Sequence, residues 1–218
     1  MQKQKCPYIK GKKALRAKML SDTLKDLYPD APCALSYNGN PFHLLVMARL
    51  SAQCTDKRVN EVSLPLFHAF PTPEAMAHAD LSEIEKIIRP CGLYHTKAES
   101  IKKMSQELIE RHNGQVPHTF DELIALSGIG MKIANLILGD IFSKPAIVPD
   151  THCIRISYKT GLISKPEPQR CQKELDALIK KEEQSDFCHR IVMFGRAFCK
   201  APRPLCELCP IKEKFKEN

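Results

Sequence analysis

Apolar residues recur along most of this chain at spacings of three and four, the period of helices with one buried face. Leu15, Met19, Leu20, Leu24 and Leu27 form the first stripe, and Pro29 ends it. Asn40-Pro41, an N-cap followed by a first-turn proline, precedes the apolar run from Phe42 to Ala48. Thr55 is predicted to cap the next helix, and Thr72-Pro73 to open a short one. Asp80 with Glu83, and Thr119 with Glu122, have capping-box spacing. Between Lys97 and His112, Ile101, Met104, Leu108 and Ile109 share a face, and Asn113-Gly114 closes that helix. Ile133, Leu136, Ile137 and Ile141 form a later stripe. Asp150 is placed as the cap of a helix ended by Gly161, and Ser185 as the cap of one running toward Cys199. No window alternates between hairpin turns, so strands are not expected. The pattern predicts an all-α protein.

No internal repeat or low-complexity stretch interrupts this organisation. The expected division is a helical domain over 34–144, and a second lobe made of 1–33 together with 145–218. A cleft is expected between them. At 218 residues and 43% hydrophobic content the chain can bury a real core. No apolar run has the length of a membrane span, and the basic N-terminus has no apolar stretch behind it. A cytoplasmic protein is expected. The net charge of +8 favours a polyanionic partner. Ten cysteines in a reducing compartment point to metal before disulfides. Cys199, Cys206 and Cys209 have that close spacing, while the other seven read as small buried apolar residues.

The chemistry gathers at Leu126-Ser127-Gly128-Ile129-Gly130-Met131-Lys132. A Gly-x-Gly turn between two helices leaves backbone N–H groups bare at a helix start, which suits a phosphate. Lys132 falls in the first turn of the following helix, on the face opposite Ile133, Leu136 and Ile137. A cation there opposes the helix dipole, and partial burial in a cleft would add to the effect. Both favour the free amine that a nucleophilic lysine needs. A lysine that merely touches a phosphate is the simpler alternative. One short helix later, Asp150 at an N-cap holds a carboxylate in a fixed position. It could stabilise positive charge on a sugar ring as a glycosidic bond breaks, or assist proton transfers around the lysine. It could equally be only a cap.

With these motifs, Leu50-Ser51-Ala52-Gln53-Cys54-Thr55-Asp56 and Cys91-Gly92-Leu93-Tyr94-His95-Thr96-Lys97-Ala98 complete a pattern. From about Phe42 to Cys209 the chain resembles endonuclease III, the helix-hairpin-helix family of base-excision DNA glycosylases. The resemblance implies a multi-helix, barrel-like domain with its helix-hairpin-helix around 122–140. It implies a monomeric N-glycosylase and abasic-site β-lyase acting on oxidised pyrimidines in damaged duplex DNA, located on the nucleoid in a bacterial cell. It assigns Lys132 as the Schiff-base nucleophile, Asp150 as the essential carboxylate, and Gly128 and Gly130 to the phosphate-binding hinge. Gln53 and Leu93 match the positions that fill the gap left by an everted base, although spacing alone assigns Leu93 to the core. Relatives that excise mispaired bases without a comparable lyase step generally lack lysine at this hinge position.

Three departures qualify the resemblance. The family holds a [4Fe–4S] cluster on Cys-x6-Cys-x2-Cys-x5-Cys; Cys199, Cys206 and Cys209 match its first three positions, but Phe215 stands at the fourth. Four outcomes are left open: a cluster completed by an outside or non-cysteine ligand, a three-iron or labile cluster, zinc on the three cysteines plus another residue, or no metal. Cys188 lies upstream in sequence, with nothing to show that it reaches. Met131 stands where the family often has arginine, and Ser127 where proline is common. Other readings are a lyase or glycosylase with a shifted lesion range, and a non-catalytic helix-hairpin-helix DNA-binding protein.

Overall fold

In the computed structural model of the chain the described residues are Cys6, Tyr8, Ile9 and 11–214, and among them there is no strand. The helices are α1 (Lys13–Leu27), α2 (Pro41–Leu50), α3 (Asp56–Ala69), α4 (Pro73–His78), α5 (Leu81–Ile88), α6 (Tyr94–His112), α7 (Phe120–Ile124), α8 (Met131–Asp140), α9 (Thr151–Lys159), α10 (Pro168–Asp176), α11 (Gln184–Ala197) and α12 (Ile211–Lys214). No helix is long and apolar enough to cross a membrane among these residues.

Local chemistry accounts for several helix starts. Side-chain oxygens of Asn40, Thr55, Thr72 and Thr119 accept from backbone N–H groups in the first turns of α2, α3, α4 and α7. Two expected caps differ. Asp80 occupies the N-cap position of α5, but only its backbone carbonyl is used, accepting from Glu83 N–H at 3.0 Å. Ser185 lies inside α11, because a 3-10 turn at Lys181–Glu183 feeds that helix two residues earlier and makes Glu183 the N-cap. Two stripes are also rotated. Leu15 is 50% exposed, and α1 buries Ala17, Leu20 and Leu24 instead. α8 buries Ala134, Ile137 and Leu138, leaving Ile133 and Leu136 at the edge of the buried face.

The chain divides into two compact units. One, Cys33–Phe142, contains α2 to α8. α6 is its spine, packed by α2, α4 and α5, while α8 packs on α2 and α7. Leu44, Leu45, Met76, Ile84, Ile101, Met104 and Leu108 are fully out of solvent or nearly so. Each such side chain stabilises the unit by roughly 1.5–3 kcal/mol relative to exposure. Asn113 closes α6 in the left-handed conformation that asparagine tolerates, and Gly114 N–H donates back to Leu108 O at 2.9 Å.

The other unit comprises the described residues of Met1–Pro32 and Ser143–Asn218, with α1 and α9 to α12. α11 packs on α9 and on α1. Gly195 permits the close approach of α9: a Cβ there would meet His152 Nδ1 at 2.5 Å and Ile156 Cδ1 at 3.0 Å. Arg190, nearly buried on α11, donates to Tyr28 O at 3.0 Å, Pro29 O at 3.2 Å and Asp186 at 2.8 Å. It thereby satisfies the carbonyls left open where α1 ends. Lys13 and Ser164 both bond the Glu174 carboxylate, which lowers its pKa to about 2 and joins α1, α10 and the intervening loop.

Candidate functional site

The hinge between α7 and α8 is built by steric necessity on one side and by openness on the other. Gly128 has φ +78°, and a Cβ on it would lie 2.5 Å from Arg49 Nε and 2.9 Å from Ser100 Cβ. Only glycine fits. Gly130 is extended (φ −112°, ψ 178°), and a Cβ there would meet nothing within 4 Å. It is the N-cap of α8 with no side chain capping the helix, and the first turn carries no acidic residue. The result is an unshielded helix N-terminus with positive potential. Lys132 is exposed in that first turn.

Ser127, standing where the family often has proline, is used fully. Its N–H donates to Glu107 Oε2 at 2.7 Å and its hydroxyl to Oε1 at 2.8 Å. A proline has no N–H and could not make the first bond. Glu107 is buried on α6, so one carboxylate bolts the hinge to the spine of the unit. Arg49 Nε donates to Ser100 Oγ at 2.7 Å, supporting the hinge from α2. Neither Glu107 nor Arg49 stood out in the sequence. Their value lies in contacts far apart along the chain that no local pattern encodes. Met131, at the first position of α8, is half-buried.

Gln53 and Leu93 share an unusual state. Both are exposed, and both hold a left-handed backbone, with φ of 53° and 49°. For a residue with a side chain this costs about 1–3 kcal/mol, which surrounding structure must over-determine. Leu93 is 56% exposed, which overturns the core position that spacing gives it. The physical reason is the turn before it. A 3-10 turn at Arg89–Cys91 and two successive positive φ values, 67° at Gly92 and 49° at Leu93, swing its side chain outward. The turn is braced from beneath by Lys97, which is fully buried and donates Nζ to Cys91 O at 2.9 Å. Burial pushes the Lys97 ammonium below its ordinary pKa. In the sequence Lys97 belongs to the motif Cys91–Ala98, whose spacing does not disclose this role.

Gln53, Leu93, Gly128, Gly130 and Lys132 all belong to the unit Cys33–Phe142. Asp150 belongs to the other, with the three C-terminal cysteines. Asp150 is half-buried at the N-cap of α9, where Oδ1 accepts from Cys153 N–H at 2.6 Å. The carboxylate is therefore held in one orientation.

Cys199 follows α11, Cys206 opens a 3-10 turn, and Cys209 precedes α12. All three are half-buried and border a cavity of about 250 Å³. Phe194 and Phe198 form part of its apolar wall. Cys6, a fourth thiol, borders the same cavity. Burial raises the Cys199 thiol, against the pull of Lys159 and Arg155, and pushes Cys209 up to about 11. The guanidinium of Arg155 bonds the Cys199 carbonyl and lies 3.7 Å from its sulfur. Among the described residues no three His, Cys, Asp or Glu side chains already converge on one metal position. In kind and number, however, four thiols around one apolar-walled cavity fit the donors that a cubane requires. Cys188 does not border the cavity: it is buried, with Val148 N–H directed at its sulfur at 3.2 Å. Phe215 lies outside the described residues. Of the seven scattered cysteines expected to be buried, Cys91, Cys153, Cys171 and Cys188 are, while Cys6, Cys33 and Cys54 are half-exposed.

Comparison with known proteins agrees with this geometry. The family model described as "HhH-GPD superfamily base excision DNA repair protein" matches residues 46–181. The chain is 40% identical to endonuclease III of Bacillus subtilis strain 168, over 90% of each chain. It is 35% identical to the Escherichia coli K12 protein of the same name, over 94% of this chain and 98% of that one. Among solved structures, a non-covalent endonuclease III–DNA complex superposes with a TM-score of 0.87 at 39% identity, covering 94% of this chain and 97% of that one. A trapped endonuclease III–DNA covalent intermediate matches equally well. The fold, hinge and these relatives define a helix-hairpin-helix base-excision repair protein. Within that superfamily, the chain belongs to the endonuclease III family.

Proposed function

We propose that this protein is a bifunctional DNA N-glycosylase and abasic-site β-lyase of base excision repair, acting as a monomer on oxidised pyrimidines in duplex DNA. The observation that carries the reading is Lys132, exposed in the first turn of an uncapped helix behind a glycine hinge. The family supplies the chemical context, since one of its members has been captured covalently on DNA.

Binding starts on the phosphates. The N–H groups of Gly130 and Met131 take up a backbone phosphate at the α8 N-terminus, while Ile129 N–H stays bonded to Leu126 O at 3.1 Å. Everting a damaged nucleotide costs a few kcal/mol, less when its pairing is already impaired. Gln53 and Leu93, already exposed and held by their backbones, enter the vacated stack. The Lys132 Nζ lone pair then attacks C1′, and the C1′–N bond breaks with its electron pair leaving on the base. Asp150 stabilises the cationic sugar and takes a proton from the new C1′–N+ adduct. The ring oxygen takes that proton from Asp150 and departs as a hydroxyl as the sugar opens, leaving a protonated imine between Lys132 and C1′, while the expelled base takes a proton from solvent. Loss of a C2′ proton pushes electrons through the imine and expels the 3′ phosphate, which cuts the strand. Water hydrolyses the imine and returns the free lysine.

Cys199, Cys206 and Cys209 are the residues of the family motif that would hold an iron–sulfur cluster. When bound, such a group would tie the loop between α11 and α12 together through Fe–S bonds.

Borohydride tests the central step, because it reduces the imine to a stable amine. On abasic or thymine-glycol duplex, wild-type protein is expected to give a covalent adduct and Lys132→Gln none. Undiminished trapping by Lys132→Gln would remove that lysine from its role.

A further inference from the structure

The family motif lacks its fourth cysteine in this chain, yet the cavity does not lack a fourth thiol. We propose that Cys6, from the N-terminal segment, is the fourth thiolate of a [4Fe–4S] centre whose other ligands are Cys199, Cys206 and Cys209. This rests on the cluster reading given under Proposed function.

Four observations support the assignment. Cys6 borders the same cavity as the three C-terminal cysteines. Its segment is secured there, with Cys6 N–H donating to Lys159 O at 2.8 Å at the end of α9. Two residues on, the Tyr8 ring lies 5.8 Å from Lys212 Nζ on α12, and Ile9 is buried. These residues therefore contact both α9 and α12. Finally, Cys188 is engaged elsewhere by the Val148 N–H, which removes the other candidate close in sequence.

The surroundings suit a thiolate cluster. Phe194 and Phe198 supply apolar wall, and an apolar shell limits water at a metal centre. Arg155 and Lys159 bring positive charge beside Cys199, which offsets the net negative charge of four thiolates on a cubane. Ligation replaces four S–H bonds by four Fe–S bonds and releases four protons. Cys6 lies outside the helices, Cys206 opens a short 3-10 turn and Cys209 follows it, so all three can close on the metal without moving a long helix.

The full-length protein, purified without oxygen from iron-replete cells, decides the matter through iron and acid-labile sulfide per chain and the yellow-brown visible absorption. Wild type is expected to carry about four iron and four sulfide per chain. Cys6→Ala and Cys206→Ala should each lower both at least about fourfold, since either leaves the cubane one thiolate short. Phe215→Cys in the Cys6→Ala background should restore most of the iron by rebuilding the family spacing. That rescue separates a lost ligand from a misfolded chain. Cys6→Ala with wild-type iron and sulfide would overturn the assignment while leaving the cluster reading intact. Wild-type protein free of iron and sulfide would overturn both.

Discussion

Leu93 shows how much one backbone angle can decide. An exposed leucine at φ 49° gains little from burial and bears the cost of a left-handed backbone. Folding alone gives no reason to keep a large apolar side chain there. Contact with something outside the protein does, and a gap in a base stack is such a contact. Leu93→Ala should therefore change unfolding free energy by less than about 0.5 kcal/mol. Excision of the damaged base should fall by roughly tenfold, about 1.4 kcal/mol of barrier. Thermal or denaturant unfolding and single-turnover kinetics measure the two effects. A stability loss well above 1 kcal/mol with normal excision would make Leu93 a packing residue after all. Periodicity could not expose this, because it counts residues along a regular helix, and Gly92-Leu93 leave the regular region. Asp150 is the opposite case: an Asp-Thr-His start to a helix is legible locally, and the cap is where the sequence puts it.

At the scale of elements, α6 unites the site's two working parts within its unit. Its N-terminus begins at the Leu93 turn, and Glu107 near its other end bonds the hinge through both donors of Ser127. The two hinge glycines then separate cleanly by physical cause. At Gly128 a side chain collides with Arg49 and Ser100 and the backbone is left-handed. Gly128→Ala should cost about 2 kcal/mol of stability or more. At Gly130 there is open space and an extended backbone, so Gly130→Ala should cost about 1 kcal/mol or less, the difference between glycine and alanine as an N-cap. If α8 receives a phosphate, the added methyl obstructs it, and affinity for duplex should drop severalfold although the protein remains folded. Melting curves paired with titrations of labelled duplex distinguish the two glycines. Equal effects on folding, or unimpaired binding by Gly130→Ala, would argue against a phosphate at this turn. The Gly-x-Gly motif was readable from sequence; the different reason for each glycine was not. It depends on Arg49 and Ser100, brought in from two other helices.

For the whole molecule, the all-helical architecture was legible because stripes, caps and closing glycines agree over most of the chain. Its errors were rotations of a stripe, as at Leu15, and caps displaced by one or two residues, as at Ser185. The fourth thiol was hidden for a different reason. Cys6 and Cys199 are neighbours only through the fold, and spacing carries no information about such a pair. Net charge likewise gives a sign and no location: 33 basic against 25 acidic residues make +8. Its consequence can nevertheless be measured. Each phosphate neutralised on duplex DNA releases counterions and contributes about −0.9 to the slope of log K against log salt. A hinge engaging a few phosphates on a basic protein predicts a slope of roughly −3 to −5. Lys132→Gln, which cannot proceed to the imine, permits the titration on abasic and intact duplex alike. Both duplexes should give the same slope, because the phosphates are common to them. Abasic DNA should bind more tightly at every salt concentration, because no base pair has to be broken. A slope near zero would take DNA away as the partner. Slopes that differ between the duplexes would mean that lesion recognition recruits additional phosphates, and that the hinge is not the main electrostatic anchor.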